Sequence, residues 1–194
     1  MNFLAHIYLS GESNELKIGN FIGDFVKASD MEHYNDTINH GIRMHWAIDE
    51  FTDQHPIVQK SKDRLRPKYG HYAGVIVDIY YDHFLARNWK EYHAENLRQY
   101  VDQQYKMLEN HISILPKKVV HMLPYMIKYD WLFNYQYFDG IDRVMHGMAN
   151  RSNFNSRMDE SVVELKKYHM EFEEEFEEFF TELQAFCNDF LKKK

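Results

Sequence analysis

The chain is expected to be all-α, a single-domain helical bundle with a long C-terminal amphipathic helix. Three observations predict this: only eight Gly and four Pro in 194 residues, many straight-chain and aromatic side chains, and almost no two-residue apolar alternation. Helices are predicted at roughly 13–29, 35–52, 56–67, 71–87, 89–113, 116–129, 131–137, 140–150 and 155–191. Pro56 and Pro116 stand where a first helical turn would begin, and Gly70 separates the third segment from the fourth. Pro124 is expected to kink or split its helix, and Asp139-Gly140 to mark a turn. The last helix carries Phe172, Phe176, Phe179, Phe180, Leu183, Phe186 and Phe190 at steps of mostly three and four, with Glu on its other faces. That is the pattern of a core-packing amphipathic helix.

A chain of 194 residues fits one domain, 1–194, with core enough to need no cross-links. The one cysteine, Cys187, permits no internal disulfide and lies on the Phe-rich stripe, where it reads as a buried hydrophobe. No basic residue precedes Lys17, and His6 interrupts the first apolar stretch, so no secretory signal is read. Without a run of eighteen apolar residues, no membrane span is expected, and a cytoplasmic setting follows. The net charge of −7 suits general nucleic-acid binding poorly. Positive charge concentrates in one strip, Lys60, Lys62, Arg64, Arg66 and Lys68, against a single acid, Asp63. Such a strip is either a solvated helix face or a local dock for an anionic partner.

Two helical registers of metal-seeking side chains stand close together: His45, Asp49, Asp53 and His55, then Asp78, Asp82 and His83. A four-residue step turns a helical side chain by only about 40° and advances it roughly 6 Å, so each set shares one face. Flanking apolar residues such as Trp46, Ile48, Val75 and Ile79 suggest that these groups point inward. A buried carboxylate needs a partner, and a divalent cation is a suitable one. Asp78 and Asp82 are like charges one turn apart, unfavourable unless bridged or protonated. Asp24 follows Gly23 among apolar neighbours, where it either faces a ligand or serves as a hydrogen-bonded core aspartate. His6, equally surrounded by apolar residues, is a site candidate or a satisfied core imidazole. Asp53 is as well placed to cap the helix at Pro56 as to bind metal.

Mixed imidazole and carboxylate donors suit Mn²⁺, Mg²⁺, Fe²⁺ or Zn²⁺ and argue against a thiolate-type structural zinc. A cation so held would acidify water and neutralise a phosphoryl oxygen, which is what phosphoester hydrolysis requires. Spacing alone therefore indicates a metal-dependent hydrolase without naming its substrate. Two rivals stand beside it: a phosphohydrolase of small nucleotides or other phosphodiesters, and a non-catalytic metal-binding bundle.

Longer motifs narrow the choice. The N-terminal Met1 to His6, the stretch Ile18-Gly19-Asn20-Phe21-Ile22-Gly23-Asp24-Phe25, the run Gly41 to His45 with Ile48-Asp49, and Phe51 to Pro56 together resemble the acyl carrier protein phosphodiesterase family. Tyr72-Ala73-Gly74, Asp78, Tyr81 to Ala86, Asp130-Trp131-Leu132, Gly140-Ile141, Met148 and Arg151 extend the likeness up to about residue 157. The resemblance implies a distant relative of HD phosphohydrolases that removes 4'-phosphopantetheine from holo acyl carrier protein, with Mn²⁺ as the preferred metal. It departs from an ordinary HD pattern in having the reversed pair Asp82-His83 in place of His-Asp. On this reading Asp24, His45, Asp49, Asp78 and Asp82 hold the metal, and His83, His55 or His6 protonates the leaving serine oxygen. The acidic carrier docks on Arg43, Lys60, Lys62, Arg64, Arg66 and Lys68.

Overall fold

A computed structural model describes residues 1–152 and 155–192, and among them every regular element is helical. A short helix, α1 (Phe3–Leu9), precedes the first predicted one; seven residues with few start signals escape pattern reading. Then follow α2 (Asn14–Ile22), α3 (Asp36–Gln54), α4 (Pro56–Tyr69), α5 (Ala73–Arg87) and the single turn α6 (Trp89–Tyr92). The remainder is α7 (Leu97–Asn110), α8 (Lys117–Lys128), α9 (Trp131–Asn134), α10 (Phe138–Arg151), α11 (Val162–Lys167) and α12 (His169–Lys192).

Local chemistry sets most of these ends. The side chains of Ser13, Asn35 and Asn96 cap α2, α3 and α7 by accepting from Leu16, Ile38 and Gln99 N–H groups. Pro56 occupies the first position of α4, and Gly70 ends that helix at a φ of +55°, a conformation that favours glycine. Three expected helices prove to be divided. The segment 13–29 gives way at Ile22 to 3-10 turns over Gly23–Phe25 and Ala28–His33. The segment 89–113 breaks before Asn96, where Trp89 Nε1 donates to the Glu95 carbonyl and the Glu95 N–H to His93 Nδ1. The last predicted helix is interrupted at Tyr168, between α11 and α12. Pro124, in contrast, lies within a continuous α8. Gly140 belongs to the first turn of α10, where an added Cβ would sit 1.9 Å from the Asn134 carbonyl oxygen.

Two features position the site. Helices α2 and α3 cross at Gly19 and Gly41: a Cβ on the first would stand 2.1 Å from the Ile38 oxygen, and on the second 2.4 Å from that of Leu16. Only glycine lets these backbones approach so closely. Helix α5 is buried nearly all round, with Ile76, Val77, Ile79, Tyr80, Phe84 and Leu85 fully enclosed. Such a helix forms the centre of a bundle. Helix α12 closes over it with Phe172, Phe176, Phe179, Phe180 and Leu183, and Cys187 is buried among them, as the stripe predicts.

Candidate metal centre

Three elements bring four side chains to one point. Helix α1 supplies His6, α3 supplies His45 and Asp49 one turn apart, and the turn after α2 supplies Asp24. His6 Nε2 lies 3.3 Å from Asp49 Oδ1, while His45 Nε2 lies 3.2 Å from both Asp49 Oδ2 and Asp24 Oδ1. The two imidazoles stack with centroids 4.0 Å apart. Donor atoms of His6, His45 and Asp49 all fall within 4.8 Å of one another, close enough to share one ion. The imidazoles are buried, whereas the Asp24 and Asp49 side chains are 65% and 40% exposed, so the cluster opens to solvent on its carboxylate side.

Asn20 sets the tautomers. Its Nδ2 donates to the His6 carbonyl and to Ser10 Oγ, which leaves Oδ1 to accept from His6 Nδ1 at 2.7 Å. Its backbone carbonyl accepts from His45 Nδ1, also at 2.7 Å. Both rings therefore carry a proton on Nδ1 and turn Nε2 to the carboxylates, the arrangement that outer-sphere partners impose on metal-binding histidines. Neither buried Nε2 has a partner other than these carboxylates. Burial, with the neighbouring His45 charge, pushes His6 down to about 4 and leaves its Nε2 lone pair free. Burial also disfavours charge on His45, but Asp24 and Asp49 outweigh it and raise this imidazole to about 9. Asp49 is kept ionised against burial by His45 and His6, and Asp24 by its contact with His45. One lone pair, two ionised carboxylates and an imidazole that exchanges its Nε2 proton for a cation make a donor set that fits a divalent ion.

The backbone makes room for this arrangement. A Cβ on Gly23 would fall 2.3 Å from His45 Cγ, so only glycine allows the ring into place. Trp46 Nε1 donates to the Gly23 carbonyl and fixes the turn that carries Asp24.

The other expected residues do different work. Asp82, fully buried, accepts the backbone N–H groups of Asn2 and Leu4 at 3.1 and 2.8 Å, and burial raises its carboxyl to about 7. It thereby caps α1 from a different helix and anchors the element bearing His6. Asp78 pairs with the Met1 ammonium at 2.8 Å. His83 donates through Nδ1 to the Tyr135 carbonyl and packs against Phe84, Phe138 and His169. His55 Nε2 meets Glu182 at 3.2 Å, its ring between Phe51 and Phe179. Asp53 receives Lys62 Nζ at 2.7 Å. Arg43 is exposed on α3. The basic strip is neutralised from within: Lys60 and Arg64 bind Glu175, Arg66 binds Asp63, and Lys68 binds Glu160 and Glu164. Asn20 was legible only as part of a motif, although an amide between two glycines in an apolar stretch is itself a signal.

Fold and cluster together define an all-helical protein with a solvent-open histidine–carboxylate centre of the kind that accepts a divalent cation. Comparison with known proteins makes this particular: the acyl carrier protein phosphodiesterase family model matches residues 1–183, and the chain belongs to that family of phosphodiester hydrolases. The acyl carrier protein phosphodiesterase of Salmonella agona (strain SL483) is 30% identical over 186 residues, 95% of this chain and 96% of the relative. That of Photorhabdus laumondii subsp. laumondii is 30% identical over 181 residues, 93% of this chain and 91% of the relative. No solved structure matches the chain.

Proposed function

We propose that this chain hydrolyses the phosphodiester joining 4'-phosphopantetheine to the serine of holo acyl carrier protein, releasing apo carrier and free 4'-phosphopantetheine. The carrying observation is the convergence of His6, His45 and Asp49, with Asp24 at the rim, in a chain related over nearly its whole length to enzymes named for that substrate. In this reading these four residues hold a divalent cation, Mn²⁺ preferred. The cation supplies Lewis acidity and acidified water. Asn20 orients both imidazoles before any ligand arrives, so little rearrangement is needed on binding. The exposed edges of Asp24 and Asp49 leave a side open for the phosphoryl group. Hydrolysis adds hydroxide to phosphorus and a proton to the serine oxygen. His6 serves here as a ligand, since its Nε2 faces Asp49; the buried surroundings of His55 and His83 make both structural. Asp78 and Asp82 support the centre by fixing α1. A cytoplasmic setting accords with the single buried cysteine, and no helix among the described residues is long and apolar enough to cross a membrane.

The test is incubation of the purified protein with holo carrier and Mn²⁺, followed by mass spectrometry. Loss of the phosphopantetheine mass, suppressed by chelator and by His45→Ala or Asp49→Ala in folded protein, is the expected result. Undiminished release in chelator or in both variants overturns the metal-centred reading.

A further inference from the structure

The strip that the sequence offers as a dock is already satisfied, yet unpaired positive charge collects elsewhere. Helix α8 contains Lys117, Lys118 and Lys128 and no acid, and among the described residues none of these lysines has an ion-pair partner. All three are exposed, and Tyr125 and Tyr129 beside them are 51% and 52% exposed. Lys128 Nζ lies 5.4 Å from the Tyr129 ring centre. Next to this face is a hollow of about 310 Å³ walled by Ile112, Leu123, Pro124 and Ile127, with Glu109 and Lys128 at its edge. Exposed aromatic area beside an apolar recess and a charged rim is the anatomy of a protein-binding surface.

We propose that α8 is where the protein substrate docks, its complement a carboxylate-bearing surface that projects an apolar side chain into the Ile112–Ile127 hollow. This rests on the reading of the chain as an enzyme for a protein-borne phosphodiester. A protein partner fits better than a long polyanion, because the chain's net charge of −7 repels extended negative charge while the three α8 lysines attract a local acidic patch. A concave recess also takes a single projecting side chain, which a bilayer surface does not offer.

The experiment measures hydrolysis of holo acyl carrier protein at low and high salt by three variants: Lys117→Glu/Lys118→Glu/Lys128→Gln, Ile112→Ser/Tyr125→Ala, and Lys60→Glu/Arg66→Glu. The lysine variant is expected to raise KM roughly tenfold at low salt with kcat unchanged, the gap closing as salt screens the charges. The apolar variant raises KM at both salt levels, and the strip variant leaves KM alone. Turnover of bis(4-nitrophenyl) phosphate stays unchanged in all three. Unaltered KM in the α8 variants, or an effect confined to the strip variant, overturns the proposal, as does wild-type binding of RNA or anionic vesicles that alone is lost in the lysine variant. Calorimetric binding of intact holo carrier separates the two readings: a wild type that binds through α8 without cleaving retains the surface and overturns the enzyme.

Discussion

Replacing Gly23 by alanine sets backbone propensity against the geometry of the site. Gly23 has φ −54° and ψ −36°, a right-handed helical conformation in which alanine is ordinarily favoured by about 1 kcal/mol. Propensity alone therefore predicts a slightly stabilised protein with unaltered chemistry. The structure predicts the reverse. The new Cβ would lie 2.3, 2.5 and 2.6 Å from Cγ, Cβ and Cδ2 of His45, against roughly 3.5–4.0 Å for a relaxed carbon contact. His45 cannot swing its tip aside, because the clash falls at the root of its side chain and Nδ1 is tied to the Asn20 carbonyl. Either the ring or the turn carrying Asp24 must move by about 1 Å, an overpacking that costs on the order of 1–3 kcal/mol. A displacement of that size at a reacting centre lowers turnover about 100-fold. The assays are thermal unfolding, Mn²⁺ titration calorimetry and hydrolysis of holo carrier. A Gly23→Ala protein at least as stable as wild type, with unchanged Mn²⁺ affinity and turnover, would refute the placement of His45 against Gly23.

Two further perturbations probe the supports of the fold. Burial pushes His83 down to about 4 from an ordinary value near 6.5, so between those limits the unfolded chain binds the extra proton and stability falls as pH falls, by roughly 3 kcal/mol in all. His83→Phe is less stable at neutral pH, having lost the bond to Tyr135, but its stability falls less steeply below pH 6.5; denaturant melts at pH 7 and 5 that keep the wild-type slope would show that His83 titrates normally in the fold. Beneath α12, Glu175 is 3% exposed and takes both Arg64 nitrogens at 2.7 Å, so Arg64→Ala leaves a buried carboxylate with Lys60 and Ser61 alone and is expected to cost about 3 kcal/mol in urea unfolding while sparing turnover of a small phosphodiester. A cost below about 0.5 kcal/mol would mean that the pair contributes no more than a surface ion pair.

Contacts set by helical periodicity are legible in the sequence. His45 and Asp49 share a face because four residues make slightly more than a turn, and the Phe stripe of α12 faces inward for the same reason. Asp24 was marked by Gly23 before it, and the structure supplies the reason: the glycine admits His45. Both α5 acids were expected to point inward, and Asp82 is buried while Asp78 is half-buried, but their partners were not legible. Asp82 holds the start of α1, a helix too short to announce itself, and Asp78 the amino group ahead of it.

The sequence by itself determined the helical class, the α3 half of the centre and the family, since each depends on residue types at short fixed spacings along one chain. Tertiary structure alone decided that His6 completes the centre, that Asn20 aims both imidazoles, and that the strip from Lys60 to Lys68 is consumed by acids, chiefly from α11 and α12. Those outcomes depend on how closely helices pass. The Gly19–Gly41 crossing sets that distance for α2 and α3, and side chains more than a hundred residues apart meet only once the bundle has closed.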